Sequence, residues 1–360
     1  MIRLLLQSQN HFRQIEDASS VSLRDIDRFC RLYNWFLESI RQRGTQENLD
    51  NPPETYIHRA SFIALMLCYY FQDASSVSLR DIDRFCRLYN WFLESIRQRG
   101  AQESLDNSPE TYIRRASFIS LMVCYYFRLH SDELKDAYVK KIHTIVVENN
   151  PELDKTPNYL ISCILHREQK WLINDRMEVP PNTAKNRALR DNIFVLLACI
   201  VNRIPLFLCG KPGSSKSSAV QILISNLKGK KSTDSYFQTL PELVAVSFQG
   251  SQNCTSESII KVFKRALKYV GVRNDSEILP VIVFDEIGLA ELSPHNPLKV
   301  LHAELEVDDC KYGFVGISNW RLDASKMNRA LYLSTPDPDV ADLQLTGVNI
   351  AQSMQQQIGG

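Results

Sequence analysis

Residues 204–227 read IPLFLCGKPGSSKSSAVQILISNL, and the fold turns on this stretch. Ile204–Leu208 predicts a buried strand, Gly210–Ser215 a loop of small residues, and Lys216 the opening of a helix. Strand, glycine loop, Lys-Ser and helix in that order make a phosphate-binding P-loop. A helix start leaves backbone N–H groups without partners, and its dipole adds partial positive charge. Gly210 and Gly213 let the backbone close around an anion because no Cβ intrudes. Lys211, Pro212, Ser214, Ser215 and Ser218 complete the cradle. Lys216 is placed to reach the β- and γ-phosphates of ATP, and the Ser217 hydroxyl to bind Mg²⁺. One position departs from G-x-x-x-x-G-K-[ST]: Ser215 stands where the pattern has glycine. A Cβ there crowds the phosphates or the left-handed backbone. Alone, the stretch also fits an ordinary glycine turn before a helix.

A second stretch decides between those readings. Pro280-Val-Ile-Val-Phe-Asp-Glu286 is an apolar run ending in two carboxylates, and Asp285 lies 285 − 216 = 69 residues after Lys216. The run predicts a buried parallel strand, and open α/β sheets bind ligands at the carboxyl ends of such strands. Asp285 is placed to hold Mg²⁺, directly or through water, and Glu286 to orient and polarise an attacking water. By itself this is a strand with an acidic turn. Paired with the loop it is half of a nucleotide site.

Further elements alternate around these two. Leu243–Phe248 reads as a strand, and Thr255 caps an amphipathic helix. A helix over Pro297–Glu306 precedes a strand over Tyr312–Ser318, which ends at Asn319. Asn319 is placed to contact the γ-phosphate or the water. A short helix over Asp323–Ala330 and a strand over Leu331–Leu333 follow. Alternation of this kind predicts the α/β class, a P-loop parallel sheet with helices on both faces, over residues 204–340. The tail, residues 341–360, shows no periodicity and reads as disordered.

The N-terminal region, residues 1–150, reads as helical. Residues 17–72 recur at 73–128: Asp17–Gly44 and Asp73–Gly100 are identical, and the remainder differs at seven positions. Two copies are fewer than a solenoid needs, so near-identity points to a recent tandem duplication or an error in gene assembly. One copy predicts an αα-hairpin. In the first copy Ser22 is the cap, Ile26, Phe29, Tyr33, Phe36, Leu37 and Ile40 recur at helical spacing, and Gly44 closes the helix. The second arm, YIHRASFIALMLCYYF, is apolar nearly all round and belongs in a core. Helices over Asp132–Val147, 158–172 and Ala184–Asn202 lead into the loop strand, residues 151–203 forming a helical connector.

Composition excludes several function classes. A net charge of +1 gives no bulk attraction to nucleic acid. The apolar runs near Phe62–Phe71 and Ile193–Val201 fall short of a transmembrane span, and the N-terminal run is short for a signal peptide. Nine cysteines occur without a C-x-x-C, mostly in apolar runs. They read as reduced core residues of a cytoplasmic protein.

The succession of loop, Asp-Glu, strand-end Asn319 and a basic residue about ten positions on resembles an AAA+ module. GKPGSSKS, DEIGLAELSP, PLKVLH, GFVGISNWRLDASKMNRA and STPDPD together resemble the family of giant RING-finger E3 ubiquitin ligases with tandem AAA+ modules. In that family the loop also carries serine where the pattern has glycine. The resemblance implies that Lys216 and Ser217 are the Walker A pair, Asp285 and Glu286 the Walker B pair, and Asn319 sensor 1. It also implies that Arg329 is an arginine finger for a neighbouring site, and that Arg24 and its copy Arg80, in VSLRD, belong to a lid segment sensing the preceding module's nucleotide. Its implied partners are neighbouring AAA+ modules in the same chain. No Cys/His zinc spacing is present, so RING chemistry and the ubiquitin machinery are expected outside this chain, which reads as a fragment lacking the lid after its last strand. An ATP-hydrolysing core is the leading expectation. Its competitors are a non-catalytic nucleotide-binding scaffold and a helical interaction protein with a vestigial loop.

Overall fold

The computed structural model describes residues 79–100, 109–149 and 161–358, apart from 182, 274–275, 307–309, 324–325 and 327–328. The first repeat copy and the N-terminal apolar run lie outside the described residues. So does Arg24, and of Arg80 only the backbone, in a helix's first turn, is described. The chain divides into two units, Met1–Arg84 and Phe85–Gly360. Of the first, only the opening of one helix is described.

The second repeat copy is the predicted hairpin. Its arms are α1 (Leu79–Gly100) and α2 (Pro109–Cys124). Next come α3 (Asp132–Asn149), a π turn over Ile161–Leu165 running into α4 (His166–Ile173), and α5 (Arg187–Val201). Asn186 caps α5, its side chain accepting from the Leu189 amide at 3.0 Å. The hairpin docks by aromatic and ionic contacts. The Phe92 and Phe127 rings lie 5.9 and 6.4 Å from Phe194 of α5. Arg99 and Arg115 both pair with buried Glu168 of α4, and the Arg99 guanidinium lies 3.9 Å over the Trp171 ring. Two arginines on one carboxylate satisfy a charge that would be costly to bury alone.

The core continues through β1 (Leu206–Cys209), α6 (Lys216–Asn226), α7 (Ser235–Gln238) and β2 (Glu242–Gln249). It closes with α8 (Ser256–Leu267), β3 (Gly271–Arg273), β4 (Ser276–Asp285), α9 (Ile287–Glu291), α10 (Leu301–Glu304), β5 (Gly313–Ser318) and β6 (Leu331–Ser334). Thr255 caps α8 with a full capping box, as its position predicts. Strands run β2-β4-β5-β1-β6, all parallel, with β3 antiparallel beside β4. The predicted α/β class stands.

Side chains alternate across the sheet, so each face carries its own layer. Phe207, Val246, Ile282, Phe284 and Phe314 pack with Ile259, Val262 and Phe263 of α8. On the other face α5 lies so close that a Cβ on Gly313 would meet Ile200 and Val281 at 3.3 and 3.4 Å. Burial on both faces explains why β1, β4 and β5 read as unbroken apolar runs. Register brings the carboxyl ends level: Cys209 pairs with Ser318 and Ser334, and Gln249 with Asp285.

Some elements differ from expectation. β3 went unread because three residues are too few to show alternation. The predicted helix over Pro297–Glu306 is a 3₁₀ turn, Pro297–Val300, followed by the short α10. Half of the short helix expected over Asp323–Ala330 falls outside the described residues. The tail expected to be disordered is instead a helix, α11 (Val340–Ile358). Asp339 starts it, accepting the Asp342 amide at 2.8 Å, and the Asp342 carboxylate accepts the Arg187 amide of α5 at 2.8 Å. Capping and docking, not periodicity, define it.

Candidate nucleotide site

The loop leaves β1 at Cys209, and the Gly210 amide donates to the Ser318 carbonyl of β5 at 3.2 Å. Gly213 has φ +84°, where glycine is at ease. Ser215 has φ 58° and ψ 20°, the left-handed region, at a cost of about 1–2 kcal/mol for a residue with a Cβ. The glycine the motif lacks is thus missing at a position where the backbone calls for one. Ser215 makes no side-chain cap to α6, so the first-turn amides are left for an anion.

Lys216 is buried at 6% exposure, its ammonium donating to Gly210 O at 2.6 Å, Lys211 O at 2.9 Å and Ser214 Oγ at 3.1 Å. These acceptors are neutral. Burial lowers the Lys216 pKa, while the charges of Glu286, Cys209 and Asp285 act in the opposite direction. A desolvated cation held by neutral oxygens at the head of a helix fits a phosphate group. Ser217 and Ser218 are exposed on the same turn.

The acidic half lies at the end of β4. Glu286 is also left-handed, at φ 50°, and its amide donates to Asp285 Oδ1 at 2.9 Å. Asn319, at the end of β5, donates Nδ2 to both carboxylate oxygens of Glu286, at 3.0 and 3.1 Å. Gly250 makes this turn possible: its amide donates to Asp285 O at 2.8 Å, and a Cβ would stand 2.3 Å from Glu286 O. Such a strained, over-determined position is typical of functional sites.

The structure places Arg329 in an ion pair with Glu306. The segment before it is tied to α9, where Glu291 Oε1 accepts the Asp323 amide at 2.9 Å and the Lys326 ammonium at 3.0 Å. Asp337 pairs with Lys211 of the loop at 2.7 Å.

Three residues contribute that sequence reasoning missed: Gly250, Asn192 and Thr335. Asn192, fully buried on α5, donates Nδ2 to Ser214 O at 2.8 Å. Its Oδ1 accepts from Thr335 Oγ1 at 3.2 Å, and the Thr335 amide donates to Cys209 O at 2.9 Å. Their one signal was the polar Asp191-Asn192 pair just before the apolar run of α5. Among the described residues no group of three His, Cys, Asp or Glu side chains is gathered for a metal, and no helix is long and apolar enough to cross a membrane. Among the described residues no cysteine is in a disulfide; six are buried and Cys163 is exposed.

Comparison with known proteins points the same way. Residues 182–342 match the RNF213 AAA domain family. The chain is similar to the E3 ubiquitin-protein ligase RNF213 of Homo sapiens, 35% identical over 299 residues, which is 78% of this chain. It is similar to E3 ubiquitin-protein ligase rnf213-beta of Danio rerio, 36% identical over 297 residues or 79% of this chain. RNF213 of Mus musculus is 33% identical over 339 residues, or 88% of this chain. The chain spans only 6% of the length of each of these relatives.

Proposed function

The chain carries an AAA domain of the RNF213 family, and on that premise we propose that its site binds Mg²⁺-ATP and hydrolyses it as one module of a larger ubiquitin ligase. The observation that carries the reading is the buried Lys216 ammonium, held by neutral oxygens at the head of α6. When bound, Mg²⁺-ATP supplies the phosphoanhydride and much of the charge shielding. Lys216, with the loop of Gly210, Lys211, Pro212, Gly213, Ser214, Ser215 and Ser218, would bind the phosphates. Ser217 and Asp285 would hold the metal. Glu286 would orient water and accept its proton, and Asn319 would fix the Glu286 carboxylate. Neighbouring AAA modules, the ubiquitin machinery and a cytoplasmic location belong to the same proposal.

Titration calorimetry of Mg²⁺-ATP into the parent and Lys216→Ala tests the reading. The variant is expected to lose affinity by about tenfold or more, because the buried ammonium at the head of α6 is gone. Equal affinities would show that this loop is not the phosphate cradle. The second reading, a scaffold that holds nucleotide without turnover, is favoured by one observation. Both oxygens of Glu286 are already engaged by Asn319.

A further inference from the structure

Ser215 adopts a left-handed backbone without being glycine, and the loop must hold it there. The carbonyl just before it, Ser214 O, is gripped from outside the loop by Asn192 Nδ2 at 2.8 Å. Asn192 cannot swing away: it is fully buried on α5, and Thr335 Oγ1 donates to its Oδ1 at 3.2 Å. Thr335 is fixed in turn, its amide bonded to Cys209 O at the end of β1 and its Cβ 3.0 Å from where a Gly210 side chain would begin. The loop's first residue and its left-handed residue are therefore referenced to one buried polar pair.

We propose that Asn192, oriented by Thr335, is a positioning residue that lets the P-loop keep its phosphate-binding shape with serine at its left-handed position. The peptide between Ser214 and Ser215 sets ψ of one and φ of the other. Fixing its carbonyl selects the left-handed well that a Cβ opposes. Glycine would enter that well unaided. Asn192 touches neither phosphate nor metal in this role; it acts through Ser214. The inference rests on the P-loop reading for its meaning but not for its geometry.

A double-mutant cycle of Asn192→Ala and Ser215→Gly tests it, read by Mg²⁺-ATP affinity and by the thermal midpoint of the ligand-free protein. Asn192→Ala alone is expected to weaken affinity by about tenfold or more, since Ser214 O and the Thr335 hydroxyl lose their partner. In the Ser215→Gly background the same change should cost no more than about threefold, and the drop in midpoint should shrink in parallel. A merely structural asparagine would lose the same amount in both backgrounds, and that result overturns the proposal. Should the parent fail to bind ATP while the midpoints still couple, the nucleotide reading falls and the loop device stands. Thr335→Val, which removes only a hydroxyl, is the milder entry to the same cycle if Asn192→Ala does not fold. It must show the same sign of coupling, and additivity there overturns the proposal equally.

Discussion

Glu286 meets three constraints at once. Its backbone is left-handed, its carbonyl sits where a Cβ on Gly250 would stand, and Asn319 holds both carboxylate oxygens. Glu286→Gln keeps the size and the hydrogen-bonding surface but removes the base. It should retain ATP binding and lose turnover by about 10²–10⁴-fold, the usual contribution of a positioned base. Steady-state hydrolysis and calorimetry on the same two proteins separate the outcomes: equal measurable rates would remove Glu286 from the mechanism, and binding without turnover in either protein would favour the scaffold. The residues proposed to carry the chemistry were legible because their signal is local. Lys216 and Ser217 follow a glycine loop, Asp285 and Glu286 end an apolar run, and Asn319 ends the next strand. Asn192, Thr335 and Gly250 were not legible, because each matters through an approach between segments distant in sequence. A glycine whose missing Cβ clears a carbonyl 36 positions on (286 − 250) leaves no mark in its own neighbourhood.

At the scale of elements, burial on both faces made β1, β4 and β5 readable, and a cap made α8 readable. Length defeated β3, and docking through Asp342 rather than an apolar stripe hid α11. The hairpin carries its own test. Phe92, Arg99 and Arg115 of the second copy dock it on Phe194 and Glu168, and the first copy has Phe36, Arg43 and Arg59 at the matching positions. Deleting Asp73–Arg128 therefore leaves a chain whose remaining copy has the same docking side chains, joined directly to Leu129. Three of the seven differences bear on the fit. Ala64 stands for buried Ser120, whose hydroxyl donates to Ala116 O at 2.7 Å. Leu67 stands for buried Val123, and Gln72 for Arg128, which lies over the Tyr332 ring at 4.8 Å. An extra methylene in a packed site costs typically about 1–3 kcal/mol. The thermal midpoint should then fall by no more than about 2–4 °C per kcal/mol, with the fold retained. Loss of cooperative unfolding on deletion would mean that both copies are structural.

At the scale of the whole molecule the question is how one module's site answers to another's. Asn319 binds Glu286 at the start of α9, and Asp323 and Lys326 bind Glu291 at its end. The segment leading to Arg329 is thus fastened to both ends of the short helix that follows Glu286, the proposed base. Arg329 itself pairs with Glu306 of its own module, so service as a finger for a neighbour requires exchange of that partner for a phosphate oxygen. An arginine supplied across an interface contributes about 10³–10⁵ in rate in known phosphoryl-transfer systems, enough to offset the loss of one ion pair. On this proposal Arg329→Ala spares nucleotide affinity at Lys216 and slows hydrolysis only while the adjacent module is competent. The measurement needs a longer chain holding both modules, assayed with the neighbouring Walker residues intact and then inactivated. Under the finger reading, inactivating the neighbour abolishes the difference between Arg329→Ala and its parent. A rate loss that persists after inactivation would place Arg329 inside its own module, where the Glu306 pair would be its structural role.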